Sequence, residues 1–206
     1  LAGNEEPFDV EWRAHFEQVA VSPDGQSIAA AIRSGERLDI WTRKTDGSPP
    51  VRLTFEGDNR RPSWTPDGES VVFLSNRRTS PTGGRFWEVW KKDADGNAPA
   101  ELVYSRAEGG SDVQEASLGP GEWLAVTSHD PEDANGHVFA ARAGTSVSAV
   151  AISATPAIEG SPRVSPDGSW IAYYSDETGT GEIYLRPFPD PSTGAKRQVP
   201  ALRIPA

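Results

Sequence analysis

The chain has 206 residues and a formal net charge of −10, with 20 Lys and Arg residues against 30 Asp and Glu residues. This acidic balance disfavours nucleic acid as a partner, because binding to a phosphate backbone draws much of its affinity from basic side chains. The absence of cysteine excludes disulfides, thiol catalysis and cysteine-ligated metal sites.

The first predicted element is a short strand near the N-terminus. Phe8, Val10 and Trp12 alternate with charged residues, a period typical of a half-buried strand. Val10 stands 11 residues before Val21, which is the spacing expected between the last strand of one repeat unit and the first strand of the next. We therefore interpret residues 1–17 as an N-terminal segment and a candidate closing strand for the C-terminal unit.

One tetrapeptide recurs along the chain between apolar runs. Ser/Thr-Pro-Asp-Gly occupies residues 22–25, 65–68 and 165–168, and a degenerate copy without the aspartate occupies 118–121. Proline presets the backbone of a type I turn and glycine accepts the left-handed position at its end, so each copy predicts a β-hairpin. The prolines are 43, 54 and 46 residues apart, the length of a four-stranded propeller blade.

Each hairpin is followed by an alternating strand, and three of the four units then end in a short closing strand. The sequence therefore predicts an all-β, β-propeller-like fold of about four four-stranded antiparallel blades, small, open or partial. The propeller domain is expected to span residues 18–206, with blades at about 18–58, 59–109, 110–158 and 159–206.

These repeats resemble those of the TolB-like β-propeller family. The last unit, through the run 182–189, is similar to the propellers appended to bacterial Ser/Thr receptor kinases. The resemblance covers about residues 18–200 and implies the fold, protein partners and a periplasmic or otherwise extracytoplasmic location, peripheral to or anchored at a bacterial membrane. TolB-like propellers usually have six or more blades, whereas four are legible here. A small closed ring, an open or incomplete array, and the loss of blades from a longer protein all stay open.

The acidic loop between residues 130 and 136 is the candidate metal site. Hard cations take several oxygen ligands from alternating residues, and this loop crowds four oxygen-bearing side chains: Asp130, Glu132, Asp133 and Asn135. The alternative interpretation is that these four residues form an inter-strand turn. No cofactor is expected. The aspartates of the repeated turns, Asp24, Asp67 and Asp167, recur at blade spacing and are predicted to be structural.

Signatures of catalysis are missing from the sequence. It contains no Gly-x-Ser-x-Gly nucleophile elbow, no glycine-rich phosphate loop and neither of the kinase motifs His-Arg-Asp and Asp-Phe-Gly. We therefore predict that the chain is not an enzyme.

A basic group in the second repeat is the candidate interface. Residues 60–92 hold seven basic and three acidic side chains in an otherwise acidic chain. Such a patch would steer the protein toward an acidic partner, chiefly by raising the association rate. Aromatic residues favour protein interfaces as well. The candidates are Arg60, Arg61, Arg77, Arg78, Arg85, Trp12 and Trp87.

The function predicted from the sequence is that of a non-catalytic interaction or scaffold propeller. We expect an accessory subunit docked through other proteins on a larger bacterial envelope or membrane assembly. The longest uncharged stretch, 143–158, has 16 residues, fewer than the ~20 apolar residues of a membrane span. The alternative is a sensor or regulatory propeller of a multidomain enzyme, either a receptor Ser/Thr kinase or a propeller-gated serine peptidase. A ligand-binding site in a central channel is a third possibility.

Overall fold

Four antiparallel sheets of four strands make up the described part of the chain. The computed structural model describes residues 12–78, 85–105, 112–130, 133–144 and 149–200. In every sheet the strands are neighbours in chain order. The first sheet contains β1 (Phe16–Val21), β2 (Ser27–Ser34), β3 (Arg37–Lys44) and β4 (Val51–Arg52), and the second contains β5 (Asn59–Trp64), β6 (Ser70–Ser75), β7 (Glu88–Asp93) and β8 (Glu101–Tyr104). The third contains β9 (Asp112–Leu118), β10 (Trp123–Asp130), β11 (Asp133–Arg142) and β12 (Val150–Ser153), and the fourth contains β13 (Glu159–Val164), β14 (Trp170–Ser175), β15 (Glu182–Pro187) and β16 (Arg197–Gln198).

The sheets are arranged as the blades of a four-bladed propeller, so the predicted fold class is confirmed. Helical structure in the described ranges consists of two short 3-10 turns, Pro120–Glu122 and Pro191–Thr193. None of the described helical segments is long and apolar enough to cross a bilayer. The first strand begins at Phe16, ahead of the expected blade start at residue 18, because Phe16 pairs with Ile32 of β2.

The repeated turns set the register of the first two strands in each blade. The last residue of the first strand pairs with an aliphatic residue of the second strand in all four blades, and these pairs are Val21 with Ile28, Trp64 with Val71, Leu118 with Leu124 and Val164 with Ile171. Since side chains alternate across a strand, this register places equivalent residues of every blade on equivalent faces.

The core lies between blades. One cluster of buried apolar side chains fills each of the three junctions between consecutive blades. At the first junction Ile40 and Leu53 of the first blade pack with Trp64 and Phe73 of the second. Each blade therefore has a leading face toward the preceding blade and a trailing face toward the next one.

In the described ranges the four blades follow one another in an arc. In the described ranges β5 packs on β1, β2 and β3, β9 packs on β6 and β7, and β13 packs on β9, β10 and β11. No comparable packing joins the described strands of the fourth blade to those of the first. The described strands therefore pack from blade to blade in chain order.

Candidate functional site

The aspartates of the repeated turns are engaged within their own turns. The Ser22 hydroxyl donates to Asp24 Oδ1 over 2.6 Å, and the backbone N–H of Gln26 donates to the same oxygen over 2.9 Å. Equivalent bonds hold Asp67 and Asp167. The hydroxyl of Ser165, joined by the Ser169 side chain and backbone, lowers the pKa of Asp167 to about 2. These carboxylates hold hairpins in shape and do not converge on one site.

Most side chains of the basic group contact other residues of the same chain. Arg60 pairs with Asp58 at 3.0 Å, and its guanidinium carbon lies 3.5 Å from the ring centroid of Trp87. Arg77 lies over the ring of Trp90 and donates to Ser75 Oγ over 3.1 Å. Burial lowers the pKa of the Arg77 guanidinium.

The remaining members of the basic group reach solvent to different degrees. Arg61 forms an ion pair with Glu115 of the third blade. Arg78 lies 3.3 Å from Glu88 and its side chain is 57% exposed, and Arg85 is exposed. The structure therefore places Arg78 and Arg85 where a partner could meet them.

The two candidate interface tryptophans are half-buried. Trp87 packs against the core of the second junction beneath Arg60. Trp12 lies edge-on to Phe16 with ring centroids 4.9 Å apart, and the guanidinium carbon of Arg43 is 5.6 Å from its ring centroid. Trp12 thus rests on the first blade. Phe8 and Val10, the other residues of the predicted closing strand, lie outside the described residues.

The candidate metal loop lies largely outside the described part of the chain. The side chains of Asp130, Glu132 and Asp133 fall outside it, and Asn135 is a half-buried residue of β11. The described ranges contain no group of three or more His, Asp or Glu residues positioned to hold a metal ion.

A polar pocket lies on the innermost strands of the arc. From the sequence, a site in a central channel was only a general possibility, with no residues assigned to it. Its volume is about 300 Å³, and it receives residues from all four blades. We call it the axial pocket. Its lining includes Gln18 and Val19 of β1, Arg61 and Ser63 of β5, Glu115 and Ser117 of β9, and Arg163 of β13.

An irregularity in the innermost strand of each blade shapes the axial pocket. The pairing register shifts between Phe16 and Gln18 in β1 and between Arg60 and Ser63 in β5, with comparable shifts in the third and fourth blades. A bulge redirects the side chains of a strand, and Arg61 takes a left-handed backbone with φ of 54°.

Hydrogen bonds tie the axial pocket together across blades. The backbone N–H of Arg61 donates to Gln18 Oε1 over 2.6 Å, while its guanidinium pairs with Glu115. Arg163 is exposed and donates to the carbonyl of Pro162 over 2.7 Å. The pocket therefore offers side chains of both charges, with the Arg163 guanidinium facing solvent.

A larger groove of about 830 Å³ lies between the turns of the first two blades. Its acidic lining residues are Asp24, Asp46, Glu69, Asp93 and Asp95, and Arg43 and Lys44 face them. Asp46 and Asp95 accept bonds from the backbone of their own turns, at Ser48 and Asn97. Asp24, Asp46 and Asp95 are thus again turn-forming groups.

The fold is that of the TolB-like β-propellers. The chain superposes on TolB from Acinetobacter baumannii with a TM-score of 0.64 and 22% identity, covering 82% of this chain and 40% of that one. A putative TolB from Agrobacterium tumefaciens gives a TM-score of 0.65 and 16% identity, covering 86% of this chain and 62% of that one. A prolyl endopeptidase gives 0.64 and 15%, with 90% of this chain and 28% of that one.

Two curated relatives also match part of the chain. An uncharacterized peptidase of Bacillus subtilis, YuxL, is 24% identical over an alignment of 172 residues, and the match covers 78% of this chain and 22% of that protein. An uncharacterized protein of Agrobacterium fabrum is 32% identical over 85 residues, 41% of this chain and 27% of that protein. The chain thus spans about a quarter of the length of these relatives. No family model matches the chain.

Proposed function

We propose that this chain is a non-catalytic propeller that binds another protein. The axial pocket carries the proposal, because four separate blades converge there. Arg61, Glu115 and Arg163 bring both charges, and Gln18 adds an amide. A pocket with many hydrogen-bonding groups suits a polar peptide segment better than an apolar small molecule.

We propose further that the partner belongs to a bacterial envelope or membrane assembly, on which this chain is an extracytoplasmic accessory subunit. The fold shared with TolB supports this placement. The exposed guanidiniums of Arg78 and Arg85 would steer an acidic partner, whereas Arg60 and Arg77 serve the blade itself.

Capture of the partner from envelope extracts tests the role of the axial pocket. Arg163→Glu reverses an exposed charge in the pocket, so we expect several-fold lower recovery of the partner with the fold unchanged. Arg197→Glu makes the same charge change on the outermost strand of the same blade and serves as the control. Equal recovery with both variants would remove the axial pocket from the proposal.

The second candidate function is that of a regulatory propeller in a multidomain enzyme. The peptidase relative and the prolyl endopeptidase fold match favour it, since each covers most of this chain but less than a third of the other protein. The complete reading frame around this sequence decides between the two. A hydrolase or kinase domain in the same polypeptide would establish the regulatory role, and its absence would favour the accessory subunit.

A further inference from the structure

Five turns of the chain contain an aspartate followed by a glycine. Such a step can isomerise, because glycine has no Cβ and its backbone nitrogen can approach the aspartate carboxyl group. In all five, the glycine has positive φ, and the aspartate Oδ1 accepts a hydrogen bond from the backbone N–H two residues further on. The five steps are 24–25, 46–47, 67–68, 95–96 and 167–168.

The N–H of the glycine separates one step from the other four. The N–H of Gly96 donates to the carbonyl of Asp93 over 3.0 Å. The glycines of the three Ser/Thr-Pro-Asp-Gly turns make the same bond, to the residue three positions earlier, over 2.8 to 2.9 Å. In the part of the chain that the structure describes, the N–H of Gly47 donates to no acceptor. Its nitrogen is therefore the only one of the five that no hydrogen bond holds in place.

Packing around the glycine distinguishes the same step. Three of the other glycines have a side-chain atom within 4 Å of the place where a Cβ would lie, and these are Gly68, Gly96 and Gly168. A Cβ on Gly47 or Gly25 would meet nothing within that distance, but the N–H of Gly25 is bonded to the carbonyl of Ser22. Asp46 and Gly47 are both exposed, so water reaches the turn. Among the five steps, this one alone combines an unbonded glycine N–H with open surroundings.

The chain has one Asn-Gly step, which would react through the same kind of ring closure. Asn135 and Gly136 lie within β11, where Gly136 pairs with His129 of β10. A Cβ on Gly136 would lie 2.6 Å from the carbonyl oxygen of Glu159. The backbone therefore has no room to rotate there, and we expect this step to be stable.

We propose that Asp46 is a site of spontaneous isoaspartate formation. The nitrogen of Gly47 attacks Asp46 Cγ, the N–H proton and the hydroxyl of the protonated carboxyl group leave as one water molecule, and a succinimide ring closes. Water then adds at the main-chain carbonyl carbon of Asp46 and breaks its bond to the nitrogen. The chain now runs through Cγ, and a carboxylate on Cα is the side group. One water leaves and one enters, so the mass is unchanged.

This modification would change the groove between the turns of the first two blades. Asp46 and Ser48 line that groove, and the backbone N–H of Ser48 donates to Asp46 Oδ1 over 2.9 Å. Isoaspartate adds a methylene to the main chain, so this bond cannot keep its geometry. The new carboxylate is the group that L-isoaspartyl methyltransferases esterify, and enzymes of that class are expected to act on the turn. The inference goes beyond the proposed function and does not involve the axial pocket.

Prolonged incubation of the full folded chain in heavy-oxygen water at neutral pH tests the proposal. Each ring opening incorporates one heavy oxygen, and peptide mapping with electron-transfer fragmentation locates this label and separates isoaspartate from aspartate. We expect Asp46 to gain the label several-fold faster than each of the other four aspartates. Asp46→Glu should remove this signal, because a longer side chain must close a larger ring. Asp95→Glu, in the corresponding turn of the second blade, is the control and should leave the rate at Asp46 unchanged.

The same measurement on the chain unfolded in urea separates the effect of the fold from that of the local sequence. All five aspartates precede glycine, so their rates should become similar once the turns are lost. The proposal is overturned if another Asp-Gly step of the folded chain reacts as fast as Asp46. It is also overturned if the lead of Asp46 persists in urea, because the fold would then not be its cause. Both comparisons use the unmodified chain and do not depend on a variant keeping its fold.

Discussion

The indole Nε1 of Trp64 donates a hydrogen bond to the backbone carbonyl of Ala20, 3.0 Å away, across the junction of the first two blades. The ring of Trp64 also packs with Ile40 and Leu53 of the first blade. A single side chain therefore joins two blades through both apolar packing and a directional bond.

Removing these two contributions separately gives the first prediction. Trp64→Phe keeps an aromatic ring and loses the bond, so we expect a loss of about 1–2 kcal/mol in the free energy of unfolding. Trp64→Ala also opens a cavity and should cost about 3–5 kcal/mol. Urea unfolding measures both, and equal stability of Trp64→Phe and the unmodified chain would contradict the role of the bond.

The turn aspartates predict a dependence of stability on pH. Hydrogen bonds lower the pKa values of Asp24 and Asp67 and bring that of Asp167 to about 2, below the unfolded value of about 4. A lowered folded pKa stabilises the native state above the unfolded value, and this stability is lost as pH falls from about 4 toward 2. Melting temperatures across that range should fall less steeply for the variant with all three aspartates changed to asparagine. An unchanged slope would contradict the prediction.

Gly57 and Gly25 form a matched pair for a third prediction. Both have positive φ, at +69° and +72°, but a Cβ on Gly57 would lie 2.7 Å from Arg77 Cα, whereas one on Gly25 would meet nothing within 4 Å. Gly25→Ala should cost about 1–2 kcal/mol for its backbone alone. Gly57→Ala should cost clearly more in the same unfolding assay, and equal losses would contradict the contact.

The buried Glu159 provides a fourth prediction. Its Oε1 accepts bonds from the hydroxyls of Ser153 at 2.6 Å and Thr155 at 2.8 Å. Glu159→Gln keeps an acceptor oxygen, whereas Glu159→Ala leaves both hydroxyls without it and creates a cavity. We expect a loss of about 2–4 kcal/mol for alanine and less than half of that for glutamine. Similar losses for both variants would show that the bonds contribute little.

The internal contacts of the basic group give a fifth prediction. Reversing Arg60, Arg61, Arg77 and Arg78 together should lower the melting temperature, because three of these residues stack on rings or bridge blades. Arg85→Glu changes an exposed residue and should leave the melting temperature within about 1–2 °C. Thermal unfolding of both variants checks this, and a fully stable fourfold variant would contradict it.

Local patterns explain why the fold could be predicted from the sequence. The hairpin turns and the alternation of the strands depend on near neighbours, and residues such as Asp24 and Gly25 carry that information themselves. The axial pocket depends instead on bulges and on the packing of strands far apart in the chain. One signal was available, since Gln18, Arg61 and Glu115 each stand five residues before the turn proline of their blade. The stacking of Arg60 on Trp87 could not be predicted from spacing, because it depends on how β5 and the residue before β7 come together within the second blade.

We propose that the axial pocket binds another protein. Site-specific photo-crosslinking in the organism that encodes the chain tests it most directly. The crosslinking residue replaces Ser117 in the pocket or, as a control, Glu101 on an outermost strand, whose side chain is 69% exposed. We predict one discrete crosslinked product from position 117, absent from position 101 and lost when Arg163→Glu is added. No product at position 117 above that at position 101, or a product that Arg163→Glu leaves unchanged, would contradict the claim.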